Sequence, residues 1–242
     1  MSHYRVVLQP AYVLHQRPYR DTSALVELFS ADFGRVGAVA RGARAAKSRM
    51  QGLLQPFQPL LVSWSGRGEL VTLTGCEAAG PAQRPAGATL LSGFYMNELL
   101  LRLLHRHDPH RGLFESYAAA LRNLEDVNQE QRTLRIFEKH LLQELGYALV
   151  LNHCADTGAA LQENRLYSYQ LEKGPLDVDA PRPYDITVHG RTLLALDQET
   201  LHDGAILREA KRLTRAALAL YLGDKPLRSR ALLVDWHRAA VA

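Results

Sequence analysis

The sequence predicts an α+β protein with a small β-barrel first, helices after it, and an irregular acidic segment before the last helix. Three observations carry this reading. Residues 1–80 hold five short runs rich in Val and Leu, separated by turn signals. Past a Pro/Gly/Ala linker the apolar period changes from that of strands to the 3.6-residue period of helices. Residues 148–203 lose both periods and collect Gly, Pro and acids.

The strand runs are AYVLHQR (11–17), SALVELFS (23–30), GRVGAVAR (34–41), PLLVSWS (59–65) and ELVTLTGCE (69–77). Asp32-Phe33-Gly34 and Ser65-Gly66-Arg67-Gly68 are turn signals between them. Five short strands in so little chain suit a closed barrel, because closure removes exposed edges. The OB-fold barrel fits the count, and so does an SH3-like barrel.

Gly80-Pro81 to Gly87 is the first boundary. TLLSGFYMNELLLRLLHRH (89–107) is apolar nearly all round, as in a helix packed on several sides, and Pro109 stops it. Residues 112–126 and 129–147 have helical spacing; Leu134, Phe137, Leu141 and Leu145 share one face and Gly146 is an end signal. LYSYQL (166–171) and DITVHG (185–190) are strand-like. A last helix spans 204–223, ends at Gly223, and is expected to bury Ile206, Ala210, Leu213, Ala217 and Leu220. The expected organisation is therefore a barrel over 1–80, a helical core over 87–147, a separate module over 148–203 and a C-terminal segment over 204–242.

The chain has 242 residues, 47% of them hydrophobic, enough for one large domain or two to three small ones. Two cysteines, Cys76 and Cys154, cannot build a disulfide framework and point to a reducing cytoplasm. The N-terminus shows no signal-peptide apolar region, and the most apolar stretch, Leu99–Leu104, is interrupted by Arg102 and too short to span a bilayer. No membrane partner is expected.

A formal charge of +4 is mild, but its distribution is not. Between Asp32 and Glu69 there is no carboxylate, while six bases occur: Arg35, Arg41, Arg44, Lys47, Arg49 and Arg67. Like charges on one loop repel, so a one-signed loop makes sense when a polyanion supplies the missing charge. From Glu172 to Asp203 there are seven acids against three bases; from Arg208 to Arg230, seven bases against two acids. Arg208, Lys211, Arg212 and Arg215 fall at i, i+3, i+4 and i+7, a solvent-facing basic ridge, followed by a basic tail with Lys225, Arg228 and Arg230. These bases, with Arg35, Arg41, Arg44, Lys47 and Arg49, are the candidate phosphate contacts. No base-reading pattern is visible, so contact with the nucleic-acid backbone is the expected mode. Arg132, Arg135 and Lys139 share one face of the 129–147 helix beside Leu134 and Ile136, which suits an acidic, apolar peptide tail.

Other clusters read as structure. Cys154 stands in NHCADTG, with Thr157 where a zinc site would place its second cysteine and no later pair, so no metal is expected there. His153 is adjacent to Cys154, and neighbours on a strand point opposite ways, which argues against a Cys–His nucleophile. His105, His107, Asp108 and His110 end a helix at a proline, without a fourth ligand of fixed geometry. GxxxxGK[ST], GxGxxG, GxSxG and HExxH are all missing from the sequence, and Gly66-Arg67-Gly68 reads as a hairpin turn. No cofactor and no catalytic residue are expected.

Taken together, AYVLHQRPYRDTSALVELFS, GRVGAVARGAR, LQPFQPLLVSWSGRGELVTL, SGFYMNELLLRLL, LRIFEKHLLQELGY, NHCADTG and AKRLTRAALALYLGDKPLRSR resemble, in order and spacing, the bacterial RecO family of DNA repair and recombination mediator proteins. The resemblance runs over essentially the full length. It implies an N-terminal OB fold, a central helical bundle, and a zinc-finger-like module before the last helix. In this chain only Cys154 of four expected cysteines remains, so the resemblance is to a zinc-less branch whose module is held by packing. It also implies binding of single- and double-stranded DNA, annealing of complementary strands, and help in loading RecA together with RecR. A further implied partner is the acidic C-terminal tail of single-stranded DNA-binding protein, with Arg135 of LRIFE at a matching basic position. The implied location is the cytoplasm, at the nucleoid during repair. Two rival readings are a protein-interaction adaptor that binds acidic partner tails with little DNA affinity, and a metal nuclease built on the 105–110 histidines.

Overall fold

The computed structural model describes residues 4–177 and 185–241, with side chains described up to Trp236 in the last helix. Residues 1–3 of the expected barrel segment and 178–184 of the expected module lie outside the described residues. The chain forms two compact units, Met1–Val127 with Pro226–Ala242, and Asn128–Lys225.

In the first unit, β1 (Arg5–Tyr19), β2 (Ser23–Ser30), β3 (Gly34–Ala40), β4 (Leu60–Ser65) and β5 (Val71–Ala78) close into a barrel in the order β1-β2-β3-β5-β4. Every neighbouring pair is antiparallel except β3 and β5, which run parallel through Ala38↔Val71, Val39↔Thr72 and Ala40↔Leu73. That crossover past β4 resolves the choice the strand count left open, giving the Greek-key barrel of the OB fold. The five expected runs all become strands, and the fold class is α+β. Alternation sets the interior: Ala24, Val26 and Leu28 of β2, Val36, Ala38 and Ala40 of β3, and Leu60, Val62 and Trp64 of β4 are all buried.

Helices α1 (Ala88–Leu103) and α2 (Arg111–Asn123) pack on this barrel. Buried Asn97 of α1 donates to the Leu14 carbonyl at 3.0 Å and accepts from Tyr117 Oη of α2 at 2.6 Å, so one side chain ties two helices to β1. Tyr12 and Phe29 of the barrel meet Phe114 and Tyr117 of α2 in edge or tilted ring contacts. The chain after α1 returns along β3: His107 N donates to the Arg35 carbonyl at 3.0 Å. Residues 228–230, expected as part of a basic tail, instead begin helix α6 (Arg228–Val241). Glu98 of α1 accepts from Arg228 N at 3.0 Å and Ser229 N at 2.9 Å, so a carboxylate caps the positive end of α6.

The second unit holds α3 (Glu130–Glu144), a three-stranded sheet of β6 (Leu166–Gln170), β7 (Gly174–Leu176) and β8 (Ile186–His189) in the order β7-β6-β8, α4 (Gly190–Asp197) and α5 (Gly204–Leu222). The expected helical segment 87–147 thus contributes α1 and α2 to one unit and α3 to the other. Asp203 caps α5, accepting from Ala205 N at 2.7 Å and Ile206 N at 3.1 Å. Glu209 of α5 accepts from His189 N, His189 Nδ1 and Thr192 Oγ1 at 3.1, 2.7 and 2.7 Å, which holds the start of α4 to α5, while Gly190 N and Arg191 N of α4 donate to the Arg165 and Glu163 carbonyls. Cys154 is buried with Leu151, Tyr167, Val188 and Leu196, so this unit is held by an apolar core. On α5 the expected stripe holds at Ala210, Leu213 and Ala217, but Leu220 is half exposed and Thr214 and Leu218 are buried instead.

Gly34 has φ +61°, and a Cβ there would stand 1.9 Å from the Asp108 carbonyl oxygen. Gly42 has a similar φ of +67° but open space around it. Gly34→Ala is expected to cost about 3 kcal/mol, the left-handed penalty plus forced displacement of the 104–110 segment, against about 1 kcal/mol for Gly42→Ala. Urea denaturation midpoints of the two variants test the difference.

Candidate nucleic-acid interface

The connection from β3 to β4 carries the carboxylate-free loop. Arg41, Arg44, Lys47 and Arg49 are all exposed on it, and none makes an ion pair among the described residues. The loop is not a loose tether. Arg44 N donates to the Thr22 carbonyl at 2.7 Å, which pins it to the β1–β2 turn, and Ala43 and Leu54 at its two ends are buried in the barrel core. Backbone and apolar anchors face inward, and the bases are exposed, with Arg44 Nη1 also donating to the Arg20 carbonyl at 3.4 Å.

Arg35, expected in the same set, does different work. Its guanidinium is mostly buried, 3.6 Å from Glu27, and Nη1 donates to the Leu101 carbonyl at the end of α1. Burial lowers its pKa, with Glu27 opposing and Arg106 adding to the shift. Arg106 joins the group by pairing with Glu27 and, at 3.1 Å, with Glu69. Arg35 therefore holds α1 to the barrel, and its cation is spent inside the unit.

The basic ridge of α5 is divided. Arg208 and Arg212 are exposed, and Arg212 donates to the Thr187 carbonyl. Lys211 is turned toward α3, donating to Gln131 Oε1 at 3.0 Å; burial, then Arg215 and Arg135, push its pKa down. Arg215 is only partly exposed. The ridge expected to face solvent as one line is so split because α3 packs against α5 on the side that carries Lys211 and Arg215. Lys225 and Arg228 are exposed, and Arg230 is half-buried.

The three bases expected to hold an acidic tail are engaged within the second unit. Arg135 is 1% exposed and pairs with buried Glu138 at 2.6 Å, whose other oxygen accepts from Thr214. Arg135 thus faces the α5 side of α3 and not solvent. Arg132 donates to the Glu199 carbonyl at 2.9 Å, and Lys139 pairs with the Glu199 carboxylate at 2.7 Å. Burial would raise the Glu199 carboxyl, but Lys139 and His140 together hold it below the usual range. The i, i+3 spacing of Arg135 and Glu138 was the sequence signal for a buried pair.

No group of three His, Cys, Asp or Glu side chains that could hold a metal gathers among the described residues. The Cys154 thiol donates to Asp156 at 3.0 Å, and Thr157 accepts from Ala159 N, so the NHCADTG turn is closed by its own side chains and does not fit a zinc ion. In the 105–110 cluster, His110 lies 3.4 Å from Asp108. No helix among the described residues is long and apolar enough to cross a membrane.

Comparison with known proteins agrees with the barrel and its sequel. The family models described as Recombination protein O N terminal and Recombination protein O C terminal match residues 1–82 and 84–231. The chain belongs to the RecO family. Among its relatives, the DNA repair protein RecO of Nitrosococcus oceani is 54% identical over 234 residues, 97% of this chain and 95% of the relative. The RecO proteins of Alkalilimnicola ehrlichii and Nitrosospira multiformis are 52% and 43% identical, covering 96% and 95% of this chain and 92% and 96% of theirs.

Two outcomes follow from this geometry. Glu138→Ala leaves the Arg135 charge buried and uncompensated, and is expected to cost about 3–5 kcal/mol, against about 1 kcal/mol for Thr214→Val, which removes one hydrogen bond; thermal or urea unfolding reads both. Burial, with Glu77 beside it, pushes the Cys76 thiol up to about 11. At pH 8 roughly one Cys76 in a thousand is then thiolate, so maleimide labelling of the native protein is expected to be far slower than of the urea-unfolded chain.

Proposed function

We propose that this RecO-family chain is a DNA repair protein that binds single- and double-stranded DNA, anneals complementary strands, and acts as a recombination mediator. The carrying observation is the pinned β3–β4 loop with its exposed, unpaired Arg41, Arg44, Lys47 and Arg49 on an OB barrel. A fixed backbone with free cations matches a partner whose charge is regular and whose sequence is not read. Guanidinium groups add paired hydrogen bonds to phosphate oxygens that an ammonium cannot make. Arg208, Arg212 and Lys225 of the second unit are proposed as further phosphate contacts, with Lys211 and Arg215 partly buried on the same helix as the first two, and Arg228 and half-buried Arg230 of the first unit are proposed separately. Arg35 is left out, since its cation is neutralised by Glu27.

Annealing then needs no bond chemistry and no catalytic residue. Two strands held by cations repel each other less, and base pairing follows. The proposed partners are RecR, RecA as the protein loaded onto gapped DNA, and the acidic tail of single-stranded DNA-binding protein. Arg132 and Lys139 of the expected tail-binding set are partly buried and held by Glu199, so an acidic tail would have to compete with Glu199 for them. The place of action is the cytoplasm, at the nucleoid during repair.

The test is the salt dependence of affinity for a single-stranded oligonucleotide. Each neutralised phosphate adds roughly 0.7 to the log–log slope. The double reversal Arg44→Glu/Lys47→Glu is expected to flatten the slope by about 1.4 and slow annealing. An unchanged slope sinks the loop assignment. Partner binding with no affinity for bare DNA supports the adaptor reading in its place.

A further inference from the structure

We infer that the barrel carries a stacking site for one unpaired base of single-stranded DNA, in a groove roofed by Tyr4 and Arg67. This rests on the DNA-binding reading above and adds a site that contacts bases and not phosphates.

The groove lies in the first unit, at the β4–β5 connection, and has a volume of about 340 Å³, the lower end of the range for small planar ligands. Its floor is apolar and rigid. Trp64 is buried, and its ring meets Phe33 edge-on at 5.1 Å, with Val71 beside them. Its rim is the opposite. Tyr4 is 41% exposed, so part of its ring is open to solvent. Arg67 is exposed and lies over the Tyr4 ring, 5.6 Å from its centroid.

Three features favour a base over another occupant. First, a planar π-system stacks on an exposed Tyr, and Arg adds a cation to the same stack. Second, charge is complementary: Arg67 has no carboxylate partner among the described residues, and it belongs to the same acid-free stretch as the loop bases. An apolar protein segment would gain nothing from that excess of positive charge, whereas a base arrives with a phosphate on each side. Third, the β4–β5 loop is one of the places where OB barrels meet oligonucleotides. Gly66 and Gly68 flank Arg67 with φ +111° and +89°, so the loop bends tightly without side chains of its own filling the groove.

The experiment compares a dT oligonucleotide with an abasic strand of equal length, which carries the same phosphates but no rings. The intact protein is expected to bind the dT strand about tenfold more tightly at fixed salt. Tyr4→Ala, a surface change, is expected to abolish that preference while leaving the salt slope unaltered, since no phosphate contact is lost. A second readout uses the two tryptophans, Trp64 and Trp236. With Trp236→Phe in place, Trp64 reports alone, and the dT strand is expected to quench it where the abasic strand does not. Equal binding of the two strands overturns the stacking site and leaves the phosphate-contact reading standing. So does a Tyr4→Ala protein that keeps the preference, or Trp64 emission unchanged at saturation. Failure of both strands to bind overturns both readings.

Discussion

The parallel pairing of β3 with β5 is the constraint on which the first unit depends. Without it the five strands are an open sheet in the order β3-β2-β1-β4-β5 with two unpaired edges, a form prone to pairing with other chains. Only three register pairs join the two strands, and all are formed by small or branched side chains. To make that pairing the chain must leave β3, cross the barrel end, lay down β4 and return. The crossing segment is the basic loop. Its position is therefore a by-product of closure, whereas the hairpin that carries Arg67 follows from the direct antiparallel pairing of β4 with β5. Both proposed DNA contacts on the barrel are connections between its strands.

Charge is partitioned by the same framework. Because residues 33–68 contain no acid, any base in them that must be buried needs a carboxylate from elsewhere. Glu27 on β2 serves Arg35 and Arg106 together, and it lies on the strand next to Arg35. The bases beyond reach of a barrel carboxylate stay exposed. In each unit a glutamate also fixes the start of a helix: Glu98 caps α6, and Glu209 ties His189 and Thr192 at the start of α4 to α5. These carboxylates fix geometry, and none of them reaches the exposed bases of the β3–β4 loop.

Much of the fold could be read in the residues. Five runs with period-two alternation correspond to five strands, four of them nearly to their ends and β1 beginning six residues before its run, because a barrel needs one apolar face and a register slip would turn it outward. The long helices were visible through Leu134, Phe137 and Leu141. The misses are short or polar elements. β7 has three residues and contains Pro175; α4 follows β8 with no break; α6 begins in what looked like a solvated tail. Each is stabilised by a contact distant in sequence, such as Glu98 at Ser229 or Glu209 at His189, and no local pattern encodes it.

The site divides in the same way. Residue type and order alone determined that a one-signed stretch exists, and that Arg41, Arg44, Lys47 and Arg49 sit in a glycine- and alanine-rich loop where exposure costs nothing. Only the tertiary structure decided which of the remaining bases are free. Arg35 alternates onto a strand beside Glu27, Arg135 turns toward α5 to meet Glu138 and Thr214, and Lys211 turns toward α3. The reason is physical: a cation's availability depends on the carboxylates and carbonyls that packing brings within about 4 Å, and helical or strand spacing specifies a face without specifying what that face will meet.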